Sequence, residues 1–226
     1  MSSDTRPTAL ITGASRGLGA EISRRLAPSH DLLLGGRPSP ALDALIGELA
    51  ARPFVADLTD HAAVASLASR IERLDVLVHN AGVGRIGRIE DTPAADWREM
   101  FEVNLLAVVE LTRALLPALR AAGGHVVLIN SGAGKRANPG WSAYAASKFG
   151  LTAFAEALRA EEPGLRVTSV FPGRIDTEMQ QGIFAAEGRE YATDGLLRPS
   201  TVAAAVVSAV HTPGDAHPTE IVLRPR

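Results

Sequence analysis

A tyrosine and a lysine four residues apart are the residues whose types and spacing most readily support chemistry. They are Tyr144 and Lys148, in the run Tyr-Ala-Ala-Ser-Lys. In a helix such side chains lie on one face, although the same spacing also suits a packed tyrosine beside a surface lysine. At roughly 4 Å and an effective dielectric constant of about 20, an ammonium stabilises a phenolate by about 4 kcal/mol. This attraction predicts a pKa for Tyr144 well below the tyrosine value of about 10, which suits a general acid–base group.

A glycine-rich turn near the N-terminus has the composition of a phosphate-binding loop. Gly13, Gly17 and Gly19 follow the apolar run 8–11 and precede a helical pattern that continues to about residue 27. Glycines allow a tight turn and a close approach to a diphosphate, and a helix N-terminus supplies unpaired N–H groups. The turn therefore predicts a nucleotide site, unless its glycines serve only the close packing of helix on strand.

A second glycine pattern, at residues 82–87, matches the literal Gly-x-Gly-x-x-Gly form. It contains Gly82, Gly84 and Gly87, but it follows a later strand and no strong apolar helix begins at its third glycine. Because a dinucleotide fingerprint requires a strand–turn–helix context, we interpret residues 13–19 as the nucleotide site instead.

The residues after the second predicted strand indicate which nucleotide binds. An NAD site usually has an acid there, whereas this chain has Gly35-Gly36-Arg37. Arg37 and Arg16 could hold a 2′-phosphate between them, because a guanidinium donates two parallel hydrogen bonds. We therefore predict NADP(H) as the cofactor, the alternative being two solvated arginines.

Strands and helices alternate along the chain, and the candidate residues lie near the ends of strands. Apolar runs predict strands at 8–11, 31–35, 54–56, 74–78, 125–129, 165–171 and 220–223. Helical patterns separate them, including a long one at about 96–122 and another at 142–161, and Asp60 and Ser200 are the expected N-caps of two further helices. Residues 174–198, which contain three glycines, are expected to be irregular. The alternation predicts an α/β fold, a single-domain Rossmann-like doubly wound parallel sheet of about seven strands over residues 1–226.

Composition narrows the classes of protein and of site. The chain is 46% apolar and 21% charged with a formal charge of −2, which gives no electrostatic case for a nucleic-acid partner. It has no cysteine, which excludes disulfides and thiol nucleophiles, and its histidines lack metal-ligand spacing, so no metal site is predicted. The N-terminus does not resemble a signal peptide and no apolar run approaches ~20 residues, so we expect a cytoplasmic protein without a membrane partner.

Two predicted helical stretches, 104–120 and 143–158, are apolar on more than one side. Such helices require burial on both sides, by the sheet and by something else. A second subunit would supply it, which predicts a homodimer, with a tetramer possible. The alternative is a core helix covered by a loop.

In their order along the chain, these motifs resemble those of the short-chain dehydrogenase/reductase family. The resemblance is carried by Thr12-Gly-x-x-x-Gly-x-Gly19, Asn80-Ala-Gly82, Ser131 and Tyr144-x-x-x-Lys148, and it covers residues 7–224. His79 stands where the family often has asparagine, and we interpret it as structural. The chain ends soon after the last strand, whereas longer tails in the family often help to form tetramers.

The resemblance implies roles for individual residues. Asn104 would help to hold a water that joins Lys148 to solvent, Ser131 would bond the substrate oxygen, and Tyr144 would be the acid and base. Cofactor contacts would come from Gly13, Ser15, Arg16, Gly17, Leu18, Gly19, Arg37, Asp57, Leu58, Asn80, Ala81, Gly82, Tyr144, Lys148, Pro172, Gly173, Ile175 and Thr177.

Residues 174–198 are then expected to form a lid over the substrate. This segment and the loop before Tyr144 contain apolar side chains, namely Trp141, Met179, Ile183, Phe184, Tyr191 and Leu196. Loops of this length are often lids. The wall suits an apolar or aromatic carbonyl compound, unless these side chains only pack on the domain.

The sequence thus predicts an NADPH-dependent oxidoreductase that transfers a hydride between nicotinamide and a small carbonyl or alcohol substrate. Two alternatives stay open at this point. One is a catalytically silent NADP-binding regulatory protein, which would be expected to lose Ser131, Tyr144 or Lys148. The other is an epimerase or dehydratase on the same fold, which would turn over without net consumption of NADPH.

Overall fold

The computed structural model describes residues 6–226, and these contain a seven-stranded, wholly parallel β-sheet. The strands are β1 (Thr8–Ile11), β2 (Asp31–Gly36), β3 (Arg52–Val55), β4 (Val76–His79), β5 (His125–Ile129), β6 (Arg166–Pro172) and β7 (Glu220–Leu223). Their order is β3-β2-β1-β4-β5-β6-β7, which confirms the predicted Rossmann-like α/β fold. The order reverses between β1 and β4, and ligands of such sheets bind in the crevice at the carboxyl ends beside this point.

Eight α-helices connect the strands within the described part of the chain. They are α1 (Gly17–Leu26), α2 (Pro40–Leu49), α3 (His61–Ala68), α4 (Ala94–Phe101), α5 (Ala107–Ala122), α6 (Ser142–Glu161), α7 (Glu178–Ala186) and α8 (Pro199–Val210). Asp60 accepts a hydrogen bond from the Ala63 N–H and so caps α3 as predicted. A π-helical turn, Glu102–Leu106, joins α4 to α5, so the predicted helix 96–122 has an interruption that its composition does not signal.

The core consists of one apolar layer on each face of the sheet. Alternate strand residues face opposite layers: Ile11 packs with α1, α2 and α8, whereas Leu10 packs with α3, α5 and α6. Both Leu10 and Ile11 are fully buried, as are most residues of β1, β4 and β5. Covering both faces explains why the strands are continuous apolar runs.

Two predictions about local structure are wrong. Residues 174–198 are not wholly irregular, because α7 occupies Glu178–Ala186 and buries Ile183 and Phe184 on one face. Ser200 is not an N-cap, because α8 begins one residue earlier, at Pro199, and Arg198 is the capping residue. A proline at the first helical position needs no N–H partner, which favours this earlier start.

Some apolar residues of the two suspected interface stretches are exposed. Leu106 is 47% exposed and Phe149 44%, whereas Leu105 of the first stretch lies against Gly150 of α6. The homodimer stays a prediction. Within residues 6–226, no helix is both long and apolar enough to span a lipid bilayer.

Candidate active site

Ser131, Tyr144 and Lys148 meet at the carboxyl end of β5. Ser131 begins the turn after this strand, where its Oγ accepts a hydrogen bond from the Ala133 N–H at 3.1 Å. Tyr144 and Lys148 lie one turn apart in α6, and both are buried in spite of their polar groups. The helix therefore presents the pair towards the end of the sheet, as the spacing predicts.

The environment of Tyr144 keeps its phenol protonated. Burial raises the pKa of Tyr144, and the Ser131 hydroxyl opposes this in part. The prediction that Lys148 lowers the pKa of Tyr144 is therefore wrong, because burial by the surrounding side chains raises it. The Lys148 Nζ lies 6.0 Å from the centre of the tyrosine ring, and burial of the phenol has the larger effect on its pKa.

Lys148 is buried and directed at the backbone of β5. Its Nζ donates to the carbonyl oxygen of Ile129 at 3.0 Å. Burial lowers the pKa of Lys148 to about 8, because an ammonium loses hydration that one carbonyl does not replace. At neutral pH the charged form of Lys148 is thus less stable in the fold than in water, which lowers the free energy of unfolding.

Asn104 lies in the π-helical turn between α4 and α5 and holds the loop after β4. Its Oδ1 accepts from the Val83 N–H at 2.9 Å, and its Nδ2 donates to the Val83 carbonyl at 2.9 Å. Nδ2 also donates to the Ser147 Oγ at 3.1 Å, next to Lys148 in α6. The single π turn projects this side chain between two elements of the site, a common use of such turns.

Asn130, which the sequence reasoning missed, braces the turn that carries Ser131. Its Oδ1 accepts from the Ser131 N–H at 2.8 Å, and its Nδ2 donates to the Lys148 carbonyl at 3.2 Å and the Thr152 Oγ1 at 3.0 Å. Gly134 leaves room for it, because a Cβ there would lie 2.3 Å from the Asn130 Oδ1. An asparagine at the end of a buried strand is a signal that could have suggested this role.

The glycine turn has the backbone geometry that its composition predicts. Gly13 and Gly17 have φ of 63° and 54°, in the left-handed region that favours glycine. A Cβ on Gly19 would lie 2.2 Å from the Gly13 carbonyl oxygen, so the first turn of α1 packs directly on the loop. Ser15 is half-buried, and Leu18 is buried in the core below.

Asn80 and Ala81 fasten the end of β4 to this turn. The Asn80 Nδ2 donates to the carbonyls of Thr12 and Gly13, both at 3.0 Å. The backbone N–H groups of Asn80 and Ala81 donate to the Thr12 Oγ1 at 3.0 and 3.1 Å. Gly82 follows, and a Cβ there would lie 3.1 Å from the Asn104 Oδ1, so the backbone passes close to that side chain.

The two arginines expected at a 2′-phosphate have different surroundings. Arg37 is exposed after β2, and its charge helps to hold the pKa of Asp57 below its usual range, after the larger effect of hydrogen bonds from Thr59. Arg16 instead pairs with Glu178 at the start of α7, with Nη1 and Oε2 2.7 Å apart. Leu58 packs partly against the core beside Asp57.

The segment after β6 runs past the glycine turn and then enters α7. The Gly173 N–H donates to the Leu223 carbonyl at 2.8 Å, which keeps the end of β6 against β7 beyond Pro172. Ile175 forms a parallel bridge with Leu197. Thr177 lies against the turn, because a Cβ on Gly17 would be 3.4 Å from its Cγ2.

Helix α7 crosses from the glycine turn to the loop after β4. Its Met179 approaches Gly84, where a Cβ would lie 3.3 Å from the Met179 Sδ and 3.5 Å from the Tyr144 Cε2. Gly84 therefore lies between Met179 of α7 and the tyrosine ring. This close approach explains the second glycine pattern by packing, in agreement with its rejection as a nucleotide fingerprint.

His79 is structural, as interpreted from the sequence. It is buried, and its Nε2 lies 2.8 Å from the Thr112 Oγ1, whose proton is donated to the Val108 carbonyl. Burial lowers the pKa of His79 to about 3, so it stays neutral. Across the described residues, no group of three or more His, Asp or Glu side chains is arranged to hold a metal.

Residues 7–188 match the family model described as short chain dehydrogenase. The chain belongs to this family. Dehydrogenase/reductase SDR family member 7B from Bos taurus is 43% identical over 202 residues, which cover 80% of this chain and 62% of that protein. The chain thus spans less than two thirds of the length of this relative, and the same holds for the proteins of that name from Mus musculus and Rattus norvegicus.

Other short-chain dehydrogenases match along most of both chains. The yeast protein named benzil reductase ((S)-benzoin forming), from Saccharomyces cerevisiae, is 32% identical over 233 residues, 89% of each chain. Among solved structures, an alcohol dehydrogenase from Thermococcus sibiricus in complex with 5-hydroxy-NADP is 31% identical, with a TM-score of 0.85 over 97% of this chain and 96% of that one. A metagenomic short-chain oxidoreductase in complex with NADP is 30% identical, with a TM-score of 0.82 over 98% of each chain.

Proposed function

We propose that this short-chain dehydrogenase is an NADPH-dependent carbonyl reductase in which Tyr144 donates the proton. The observation that carries the proposal is the convergence of Ser131, Tyr144 and Lys148 at the carboxyl end of β5, beside the point where the strand order reverses. Membership of an oxidoreductase family supports the reaction class. The relatives named for benzil reduction and alcohol dehydrogenation support a carbonyl or alcohol substrate.

The residues at the start of α1 suit the diphosphate of a nicotinamide cofactor. The helix begins at the left-handed Gly17 and follows the left-handed Gly13, and its first turn contains no acid. Its N-cap Arg16 makes no side-chain capping bond, so the first N–H groups are free to donate to an anion. Gly13, Ser15, Gly17, Leu18 and Gly19 would hold it there. The remaining proposed contacts are Arg16, Arg37, Asp57, Leu58, Asn80, Ala81, Gly82, Tyr144, Lys148, Pro172, Gly173, Ile175 and Thr177.

Each side chain of the site then has a defined task. The bound cofactor supplies the hydride. Ser131 donates a hydrogen bond to the substrate oxygen, and this bond strengthens as negative charge develops there. Tyr144 gives its proton to the same oxygen, and its raised pKa keeps that proton in place at neutral pH. Lys148 supplies positive charge beneath the tyrosine, and Asn104 fixes the Val83 backbone that borders the site.

Oxidation of NADPH in the presence of ketones, aldehydes and quinones tests the proposal. We expect stoichiometric conversion of at least one carbonyl compound to its alcohol, with NADPH favoured over NADH. Binding of NADPH without consumption, across the whole panel, would instead support a regulatory protein. Conversion of a substrate without net oxidation of the cofactor would support an epimerase or dehydratase.

The preference for NADPH is tested by Arg37→Asp. An acid at this exposed position should repel the 2′-phosphate and accept the ribose hydroxyls, so we expect the Kd for NADPH to rise about 50-fold while that for NADH changes less than about three-fold. Fluorescence titration of each cofactor gives both constants. Arg52→Asp, an exposed arginine at the start of β3 and thus at the opposite end of the sheet, is the control. Equal weakening of both cofactors would contradict the phosphate assignment.

A further inference from the structure

Trp141 contacts both Tyr144, which lies in α6, and Arg174, which lies in the segment after β6. It immediately precedes α6, and its ring meets the Tyr144 ring edge to face, with centroids 5.8 Å apart. Its neighbour on the other side is Arg174, whose guanidinium carbon lies 5.4 Å from the indole centroid. The indole is therefore fixed by contacts with two residues that flank the site.

Arg174 is itself held rigidly. Both of its terminal nitrogens pair with the carboxylate of Glu187, at the C-terminal end of α7, with Nη1 and Oε2 2.8 Å apart. Its guanidinium also lies 5.3 Å from the Phe184 ring. A planar guanidinium that is paired in this bidentate way and lies close to two rings loses little further freedom, so it is a rigid support for an aromatic neighbour.

The indole lines a cleft to which the end of α7 also contributes, and neither Ser131 nor Tyr144 is among the residues that line it. Ile86, Pro139 and Ala186 contribute apolar surface to this cleft, whose volume is about 340 Å³. That volume is at the lower end of the range of about 300–1,000 Å³ typical of small-molecule sites. It suits a compound of one or two rings rather than an extended chain.

The charges of the cleft argue against an anionic substrate. The side chain of Arg88 pairs with Glu90, with Nε and Oε1 2.6 Å apart, and Arg174 pairs with Glu187. Asp91 and Glu187 both line the cleft. The cations near it are thus neutralised by neighbouring carboxylates, whereas a free carboxylate on the substrate would meet Asp91.

We propose that Trp141, positioned by Arg174 and Glu187, selects neutral carbonyl compounds whose carbonyl carries a flat aromatic ring. The inference rests on the reductase function proposed above and names the substrate class for the same site. Aromatic rings that meet face to edge or offset interact beyond the area they bury, which a saturated ring of similar size does not match. Tyr144 does not itself line the cleft, but its ring is in edge contact with the indole, so a carbonyl attached to a ring bound at Trp141 would have to extend past the indole to reach the proton donor.

The experiment compares acetophenone with cyclohexyl methyl ketone, which differ in the flatness of the ring. The quantity measured is the ratio of kcat/KM for the two ketones, with NADPH. Trp141→Leu should lower this ratio about ten-fold, mainly through a higher KM for acetophenone. Arg174→Met, which keeps a long side chain without the fork, should lower it about three-fold through the freed indole. Phe154→Leu, which removes an aromatic ring of α6 that packs in the other core layer with Leu151 and Leu158, should leave the ratio within about two-fold of the wild-type value.

An unchanged ratio in Trp141→Leu, with either ketone turned over, overturns the role of Trp141 but leaves the reductase function intact. A second measurement decides the matter if neither ketone is reduced. In Trp97→Phe, Trp141 is the only tryptophan, so its fluorescence lifetime reports contact with a ligand. Saturable shortening by acetophenone, absent with cyclohexyl methyl ketone, supports the aromatic wall, and a purely linear response to both overturns it.

Discussion

Tyr144→Phe should lower kcat for carbonyl reduction about 1,000-fold while raising the Kd for NADPH no more than about five-fold, the effect of one lost hydrogen bond. A positioned general acid contributes typically ~10²–10⁴-fold, and the hydroxyl of Tyr144 is the only group that the variant removes. The ring itself is retained, so its edge contact with Trp141 and its packing against Ala133 and Met100 persist. The fold and the cofactor site should therefore survive the substitution.

Steady-state kinetics on the best substrate and a fluorescence titration of NADPH measure the two quantities. Tyr191→Phe is the matched control, because Tyr191 is the other tyrosine of the chain and its hydroxyl donates to Asp176 rather than facing Ser131. It should lose no more than about three-fold. Retention of more than a tenth of the wild-type rate by Tyr144→Phe would refute the role of Tyr144 as the acid.

The direction of the pKa shift at Tyr144 also predicts how the two directions of the reaction respond to pH. Because burial raises its pKa, the phenol is protonated at neutral pH and ready to act as an acid in reduction. Alcohol oxidation needs the phenolate, so its rate should rise as the pH approaches the raised pKa. The protein's own side chains thus favour reduction at neutral pH.

The sequence was sufficient to predict the order of elements and most positions of the site. Strand β5 and helix α6 have the predicted boundaries, because a buried parallel strand and a long helix between clear stop signals leave strong local patterns. The glycine turn was equally readable, since its left-handed φ values require glycine at Gly13 and Gly17. These features depend on nearby residues alone.

The features that the sequence did not reveal depend on burial and on contacts between distant segments. The pKa of Tyr144 was predicted with the wrong sign, because a helical spacing gives the approximate separation of two side chains but not the desolvation that both undergo. The pairing of Arg16 with Glu178 joins residues more than 150 positions apart. Helix α7 was missed because three glycines in residues 174–198 indicated a loop, although Gly182 is accommodated inside the helix.

Lys148→Met should abolish most activity and yet stabilise the fold. Burial lowers the lysine pKa to about 8, against an ordinary value of about 10.5, so the native state binds fewer protons than the unfolded chain between these pH values. Stability therefore rises with pH through this window, by at most about 1.4 kcal/mol per pH unit. At pH 7 the wild-type protein carries the desolvation penalty of the ammonium, offset in part by the bond to Ile129. Without that charge, the variant should be about 1–2 kcal/mol more stable at pH 7, while kcat falls at least about 100-fold.

Urea unfolding at pH 8.0 and 9.5 provides the decisive comparison. The wild-type free energy of unfolding should rise by about 1.5 kcal/mol over this interval, whereas that of Lys148→Met should stay flat. Few other groups titrate there, because the chain has no cysteine, one other lysine, and two tyrosines whose pKa values are raised. Lys135→Met is the control, since Lys135 pairs with Glu220 at the partly exposed edge of the sheet and should leave the wild-type pH dependence unchanged. A wild-type curve that is flat or falling between pH 8.0 and 9.5 would show that the Lys148 ammonium carries no such penalty, because its charge is then as well stabilised in the fold as in water.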